Sequence, residues 1–162
     1  MPVAAPLAVA AASYSRNTDS LTKSFEGLAP EEWLRSPSEK SNHLAWVVGH
    51  IIWTRAAVAR MLGSPFSRPW FSMVSRGSKI ADPGEYPSSA ELSLALQEVT
   101  ALLDAAMENA SEEALSAPGP ERIPSADGKL SGTISFLAWH DTFHVGQSVY
   151  LRSWLGHSGV HD

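Results

Sequence analysis

Three histidines, His50, His140 and His144, lie within two apolar stretches of the chain, which read NHLAWVVGHIIWTR and FLAWHDTFHVGQSVYLRSWLG. Burying an unpaired polar group costs on the order of 1–3 kcal/mol, so an imidazole in such a stretch needs a polar partner. If the two stretches are helices that face each other, one metal ion could serve as the partner of all three rings. The chemistry that these residues suggest is therefore that of a metal site.

The angular positions of the histidines support this interpretation. On a helix that advances about 100° per residue, His144 lies about 40° from His140, and both point where the apolar residues point. Their i, i+4 spacing brings the two Cβ atoms to about 6 Å. In the first stretch, His50 falls between Trp46 and Thr54 on the inward face. A lone inward histidine is more often a core residue bonded to a backbone carbonyl or a hydroxyl, but three of them on two helices favour a metal.

The ligand set restricts the metal and its chemistry only in part. Three imidazoles suit Zn²⁺, Ni²⁺, Co²⁺ or Fe²⁺; we expect one divalent transition metal, zinc by coordination habit, with nickel as the alternative. Three protein ligands with a fourth position open are typical of catalytic zinc. A water there would have a pKa of about 7, and a small-molecule thiol would be held as its thiolate. The chain has no cysteine, so a thiol would have to come from outside.

Four polar residues near the histidines are candidates for fixing the ring tautomers. Gln147 faces the same cavity one turn beyond His144, although a buried amide bonded to the backbone is an equally good interpretation. Asn42, Thr54 and Asp141 are the other acceptors within reach in the sequence. Asp141 lies about 100° from the inward stripe, which favours a place on the flank of the bundle.

The remaining histidines fit a metal site less well. His43 shares the face of His50 but lies near the start of the helix, which predicts a residue at the end of the bundle. His157 and His161 follow Gly156 in a short tail, and we expect them at the surface. Four tryptophans lie on or beside the histidine faces and suggest an apolar pocket, although aromatic residues at helical spacing are more often core: Trp46, Trp53, Trp139 and Trp154.

The composition describes the scaffold that must position these residues. With 162 residues, 44% hydrophobic and 18% charged, the chain predicts one globular domain over 1–162 rather than a disordered protein. A net charge of -5 with scattered basic residues argues against nucleic-acid binding. No apolar run approaches the length of a membrane span. The apolar N-terminus carries no basic residue before it and is interrupted by Pro2 and Pro6, so we expect it to be structural and the protein to be cytoplasmic.

Hydrophobic spacing predicts four helices and hardly any strand. The first carries a stripe from Leu7 to Leu28 and ends before Pro30. The second begins at Ser41 or Asn42 as its cap and ends at Gly63. The third begins at Ser88, three residues before Glu91 in a capping-box pattern. The fourth runs from about Ser131 to Leu155, with Gly156 as its terminator.

Four such helices predict an all-α four-helix bundle. The connection from Gly63 to Pro87 is long for a turn between antiparallel neighbours, and it could run the length of the bundle so that helices two and three lie parallel. Phe66, Trp70 and Phe71 in this connection could form a lid over a pocket, but cover for the side of the bundle is the favoured interpretation.

The segments LAWVVGHIIWTR on the second helix and LAWHDTFHVGQSVYLR on the fourth resemble the DinB/YfiT-like superfamily of small bacterial four-helix proteins. The resemblance implies an up-down-down-up bundle, a divalent metal bound by His50, His140 and His144, and often a homodimer. Some members are transferases or isomerases that use low-molecular-weight thiols, and many have no known reaction, so the family alone does not establish an enzyme. Three functions stay open: a metal-dependent transferase that activates a thiol for attack on an electrophile, a metal-dependent hydrolase, and a non-catalytic metal- or ligand-binding bundle.

Overall fold

The computed structural model describes residues 3–160, and within this range the chain is helical, with no strand beyond one isolated bridge between Pro118 and Lys129. The predicted all-α class is confirmed. Two short helices in the connections accompany the four long ones that the sequence predicts. The six α-helices are α1 (Ala8–Phe25), α2 (Leu44–Met61), α3 (Phe71–Val74), α4 (Ser89–Glu108), α5 (Glu112–Ser116) and α6 (Leu130–Trp154).

The four long helices pack against one another, and their buried apolar residues form two clusters. Helix α1 packs against α6, and α2 packs against both α4 and α6. The two helices that carry the histidines, α2 and α6, are therefore neighbours, as a shared site requires. The up-down-down-up order of helix directions stays a prediction.

The helix ends match the sequence signals at three of four places. Helix α2 stops at Met61, and the predicted terminator Gly63 takes a φ of 84°. The hydroxyl of Ser88 accepts a hydrogen bond from the Glu91 amide at 3.2 Å and caps α4 as predicted. At the end of α6, Gly156 has a φ of 93°, in the left-handed region that favours glycine.

The predicted cap of the second helix at Ser41 or Asn42 is wrong. The N-cap is His43, whose Nδ1 accepts a hydrogen bond from the Trp46 amide at 3.1 Å. A neutral imidazole nitrogen satisfies a free N–H group of the first turn as a serine or asparagine oxygen would. The sequence rule points to the usual capping residues and so misses this one.

The long connection after α2 covers the side of the bundle. Trp70 and Val74 are buried, and Phe66 and Phe71 are half-buried against the core, so the favoured interpretation of these aromatic residues is confirmed. The connection packs tightly against α2 at Gly49, where an added Cβ would lie 2.8 Å from Cγ1 of Val74. Only glycine permits this approach, and it occurs one residue before His50.

Across residues 3–160, none of the helices combines the length and the apolar character that crossing a membrane requires.

Candidate metal centre

The three predicted ligands come together between α2 and α6. His50 extends from α2, and His140 and His144 extend from successive turns of α6. One nitrogen from each ring lies within 4.8 Å of the others. The ring centroids are 4.6 Å apart for His50 and His144, 5.3 Å for His50 and His140, and 4.5 Å for His140 and His144.

Hydrogen bonds fix the tautomer of two of the rings. Nδ1 of His50 donates to the Val74 carbonyl oxygen at 2.6 Å, and Nδ1 of His144 donates to Oε1 of Gln147 at 2.8 Å. Because both acceptors are carbonyl oxygens, each Nδ1 carries the hydrogen and each Nε2 keeps its lone pair. Bonding the second ring nitrogen to an oxygen acceptor is the usual way in which proteins orient a metal-ligating histidine.

The third ring shows that the donor set fits a metal ion. Nε2 of His140 lies 3.2 Å from Nε2 of His144, close to the separation of about 3.3 Å between two nitrogens that each lie 2.0–2.1 Å from a tetrahedral zinc. Nδ1 of His140 is buried and has no hydrogen-bond partner within residues 3–160. Because Nδ1 of His144 carries the hydrogen, Nε2 of His140 is the donor in this contact, and its own Nδ1 keeps an unused lone pair. A cation between the Nε2 atoms would replace this contact by two coordinate bonds.

The three imidazoles are held in the neutral form that binds metals. Burial is the main cause of a lowered pKa of about 4 for His50; the hydrogen bond to Val74 opposes the shift, and the neighbouring histidines add to it. Burial likewise lowers the pKa of His140 and of His144. At neutral pH the lone pairs are therefore free for a metal without the loss of protons.

A cavity of about 490 Å³ opens beside the cluster, a size that suits a small-molecule ligand. The Trp46 ring stacks on the His50 ring, with centroids 4.7 Å apart and planes 8° from parallel. The centroid of the Trp53 ring lies 5.4 Å from the centroid of the same His50 ring. Apolar residues of α6 and of the connection before it complete the walls, and no aspartate or glutamate among residues 3–160 lines the cavity. Arg76 and Arg122 are the charged side chains in the lining.

The structure brings some of the predicted neighbours to the cluster and not others. Gln147 bonds to His144, so its predicted contact is present. Thr54 lines the cavity, but its hydroxyl donates to the Ile51 carbonyl oxygen. Asn42 makes no hydrogen bond to a histidine among residues 3–160. Of the four tryptophans, Trp46 and Trp53 line the cavity.

The other two tryptophans, Trp139 and Trp154, are exposed by 61% and 38%. The pocket interpretation and the favoured core interpretation are therefore both wrong for these two residues. They lie on an outer face of α6 together with Phe143 and Tyr150, which are also exposed. Helical spacing alone does not separate an inward stripe from an adjacent outward one.

Asp141 belongs to a different buried group. Its carboxylate accepts from Nε and Nη2 of Arg55 at 2.9 and 3.0 Å and from Nδ2 of Asn17 at 2.9 Å. It lies off the histidine stripe, as its angle indicates, but it is fully buried rather than at the edge of the bundle. Nη1 of Arg55 also donates to the hydroxyls of Thr18 and Thr100, so this group joins all four long helices.

Two further histidines of the described chain take no part in the cluster. His43 is the cap of α2, and burial lowers its pKa to about 4. Nε2 of His157 lies 2.9 Å from Oε1 of Glu32 near the surface. His161 lies outside the described residues.

Two contributors escape the sequence analysis. The Val74 carbonyl is a backbone group, and a backbone acceptor cannot be predicted from the type of residue that carries it. The one sequence feature that points to a close contact here is Gly49, which directly precedes His50 in an apolar helix. Arg55 does carry a signal, because an arginine among the apolar residues of α2 requires a buried acceptor.

The fold and the site together define a class, a helical bundle with a buried group of three histidines that could hold a metal ion. A family model for the DinB superfamily matches residues 13–148, which include all three histidines. The chain belongs to this superfamily, as the sequence resemblance predicts. No curated protein matches the chain in a sequence comparison.

Proposed function

We propose that the protein binds one divalent transition metal through the Nε2 atoms of His50, His140 and His144. The observation that carries the proposal is the convergence of three neutral imidazoles, two of them with Nδ1 bonded to an oxygen, beside a cavity. Zinc is the metal that we expect and nickel is the alternative. We propose the up-down-down-up bundle as the scaffold, on the family membership and the packing of α2 against α6.

We further propose a transferase that joins a small-molecule thiol to an electrophile. The metal would supply the thiolate at neutral pH. The protein side chains bind and shield the reactants: Trp46 and Trp53 offer apolar surfaces beside the ligands, and Gln147 holds the His144 ring in place. In the transfer, the sulfur forms a bond to the electrophilic carbon, the leaving group departs with the bonding electron pair, and the thiol proton goes to solvent.

The cavity lining favours thiol transfer over hydrolysis. A hydrolase of this type needs a positioned general base near the attacking water, and none of the carboxylates that the structure describes lines the cavity. Asp141, the acid nearest in sequence to the ligands, has its oxygens bonded to Arg55 and Asn17. A thiolate needs no such base for its attack. A bundle that binds a metal or ligand without turnover remains the alternative from another class.

Metal content tests the first proposal. Plasma mass spectrometry on untagged protein should give one metal per chain for the wild type and for His43→Asn, a buried histidine away from the cluster with its capping acceptor retained. His50→Ala, His140→Ala and His144→Ala should each lose the metal. Wild-type protein that stays metal-free after incubation with zinc or nickel would refute the site.

Turnover separates the proposed activities. With the metal bound, transfer of 2-mercaptoethanol to an aryl chloride that His144→Ala cannot catalyse would support the transferase. Hydrolysis of activated esters that His144→Ala loses, without thiol transfer, would support the hydrolase. Metal binding without either reaction would support a non-catalytic protein.

We propose a homodimer through the outer face of α6. The exposed aromatic residues Trp139, Phe143 and Tyr150 lie there. The Phe143 ring packs edge to face on the His144 ring, with centroids 5.2 Å apart. Light scattering should give twice the chain mass for the wild type and the chain mass for Trp139→Glu; a monomeric wild type would refute it. The cytoplasmic location stays a prediction from the sequence.

A further inference from the structure

Two arginines at the mouth of the histidine cavity have no assigned role. Arg76 comes from the connection between α2 and α4, and Arg122 comes from the connection between α5 and α6. Both line the cavity, both are exposed, and neither makes a hydrogen bond or an ion pair with another of residues 3–160. The chain carries more acidic than basic residues, 17 against 12, yet the cavity lining formed by the described part of the chain contains two arginines and no acid.

The fold holds Arg76 close to the histidines. Val74, two residues before it, is fully buried against α2, and its carbonyl accepts the hydrogen bond from His50. Besides burial, which is the main cause, the positive charge of Arg76 contributes to the lowered pKa of His140. The same segment therefore orients a metal ligand and presents a cation to the cavity.

From this geometry we infer that the cavity takes a small carboxylate-bearing molecule, whose anionic group Arg76 and Arg122 bind while its apolar part lies against Trp46 and Trp53. Guanidinium groups match carboxylates in geometry and form charge-assisted hydrogen bonds with them. Arginines without acidic neighbours keep this capacity for a ligand. The inference rests on the proposed transferase function, because it assigns a negative charge to one of the two reactants that enter the cavity.

Binding of a matched pair of probes tests the inference. Isothermal titration calorimetry of the protein as purified should show 3-phenylpropionate binding about tenfold more tightly than the neutral 3-phenylpropanamide. The preference should vanish in the Arg76→Gln/Arg122→Gln double variant. It should persist in Arg16→Gln, which changes an exposed arginine of α1 that has no partner within residues 3–160.

The variants separate this inference from the metal proposal. A preference for the acid that survives in the double variant would mean that the metal or the histidines bind the carboxylate, and it would overturn the inference. Equal affinity for acid and amide in the wild type would overturn it as well. Metal content is measured independently, so a protein that stays metal-free after incubation with zinc or nickel, yet shows an arginine-dependent acid preference, would refute the metal proposal alone.

Turnover then assigns the carboxylate to one of the two reactants. An Arg76→Gln increase in KM for 3-mercaptopropionate, with no change for 2-mercaptoethanol, places the carboxylate on the thiol. The same increase for a chloronitrobenzoate, with no change for a chloronitrobenzene, places it on the electrophile. An equal change for charged and neutral reactants in both series would contradict arginine recognition.

Discussion

Two polar centres are buried where α2 and α6 meet. They differ in how many of their polar atoms have a hydrogen-bond partner. In the first, Arg55 makes four hydrogen bonds, two to Asp141 and one each to Thr18 and Thr100. In the second, the histidine cluster, Nδ1 of His140 has no partner within residues 3–160 and two Nε2 atoms face each other. Both centres involve neighbouring residues of the same helix.

The difference separates a structural role from a functional one. A satisfied buried network fixes the arrangement of the elements that it joins, because any other arrangement leaves charges unpaired. A buried group with unused lone pairs costs folding free energy and is expected at sites where a ligand completes it. We therefore assign the Arg55–Asp141 pair to the fold and the histidine cluster to function.

The largest expected loss of stability follows from breaking the Arg55–Asp141 pair. Arg55→Met leaves the Asp141 carboxylate buried without its cation, which should lower the free energy of unfolding by about 3–5 kcal/mol. Chemical denaturation measures this change in the free energy of unfolding, with Arg60→Met on the exposed face of α2 as control. Arg55→Met/Asp141→Leu should recover much of the loss, since no charge is left unpaired. A loss below about 1 kcal/mol in the single variant would contradict the structural role.

Gly49 and Gly146 each lie close in sequence to a histidine of the cluster, and changing them to alanine should alter the free energy of unfolding in opposite directions. Gly49→Ala forces Val74 away from α2, which should cost about 1–3 kcal/mol and weaken metal binding about tenfold through the His50 hydrogen bond. Gly146→Ala in α6 meets no atom within 4 Å and should raise stability by about 0.5–1 kcal/mol with metal affinity unchanged. Denaturation and chelator competition measure both. Unchanged metal affinity in Gly49→Ala would show that Val74 does not position His50.

The sequence predicts the histidine cluster well because its signal is local. Helical periodicity places His140 and His144 on one inward face, and three of four helix ends carry glycine or serine signals that the structure confirms. The grouping of the three histidines then follows from α2 and α6 being neighbours. The capping by His43 was missed, since histidine is not a usual N-cap residue.

The rest of the site depends on contacts between distant parts of the chain. The Val74 carbonyl reaches His50 only after the long connection has folded onto α2, and no side-chain pattern predicts a backbone acceptor. The two arginines come from separate connections without periodicity, so nothing in the sequence relates them. The exposure of Trp139 was missed because one helix presents two adjacent apolar stripes, and the sequence does not say which of them the bundle covers.

A smaller effect should follow when Gln147 is changed. Gln147→Ala removes the acceptor of His144 Nδ1, which should weaken metal binding about tenfold because the ring loses its fixed orientation and part of its basicity. The half-buried position predicts a change in the free energy of unfolding below about 1 kcal/mol. Chelator competition measures the affinity, with Gln97→Ala on the exposed face of α4 as control. Equal affinities for wild type and Gln147→Ala would mean that this bond does not tune the site.

The smallest effect on stability is expected at the ligand with no bond to its Nδ1. His140→Leu replaces a half-buried imidazole, whose Nδ1 has no partner within residues 3–160, by an apolar side chain. Since no strong hydrogen bond is lost, the metal-free protein should unfold within about 1 kcal/mol of the wild type. Metal binding should be abolished. Asp141→Leu, one residue away, should instead cost several times more, because Arg55 is left unpaired. If His140→Leu destabilised the metal-free protein as strongly as Asp141→Leu, the histidine cluster would be part of the structural core, and the distinction between the two centres would fail.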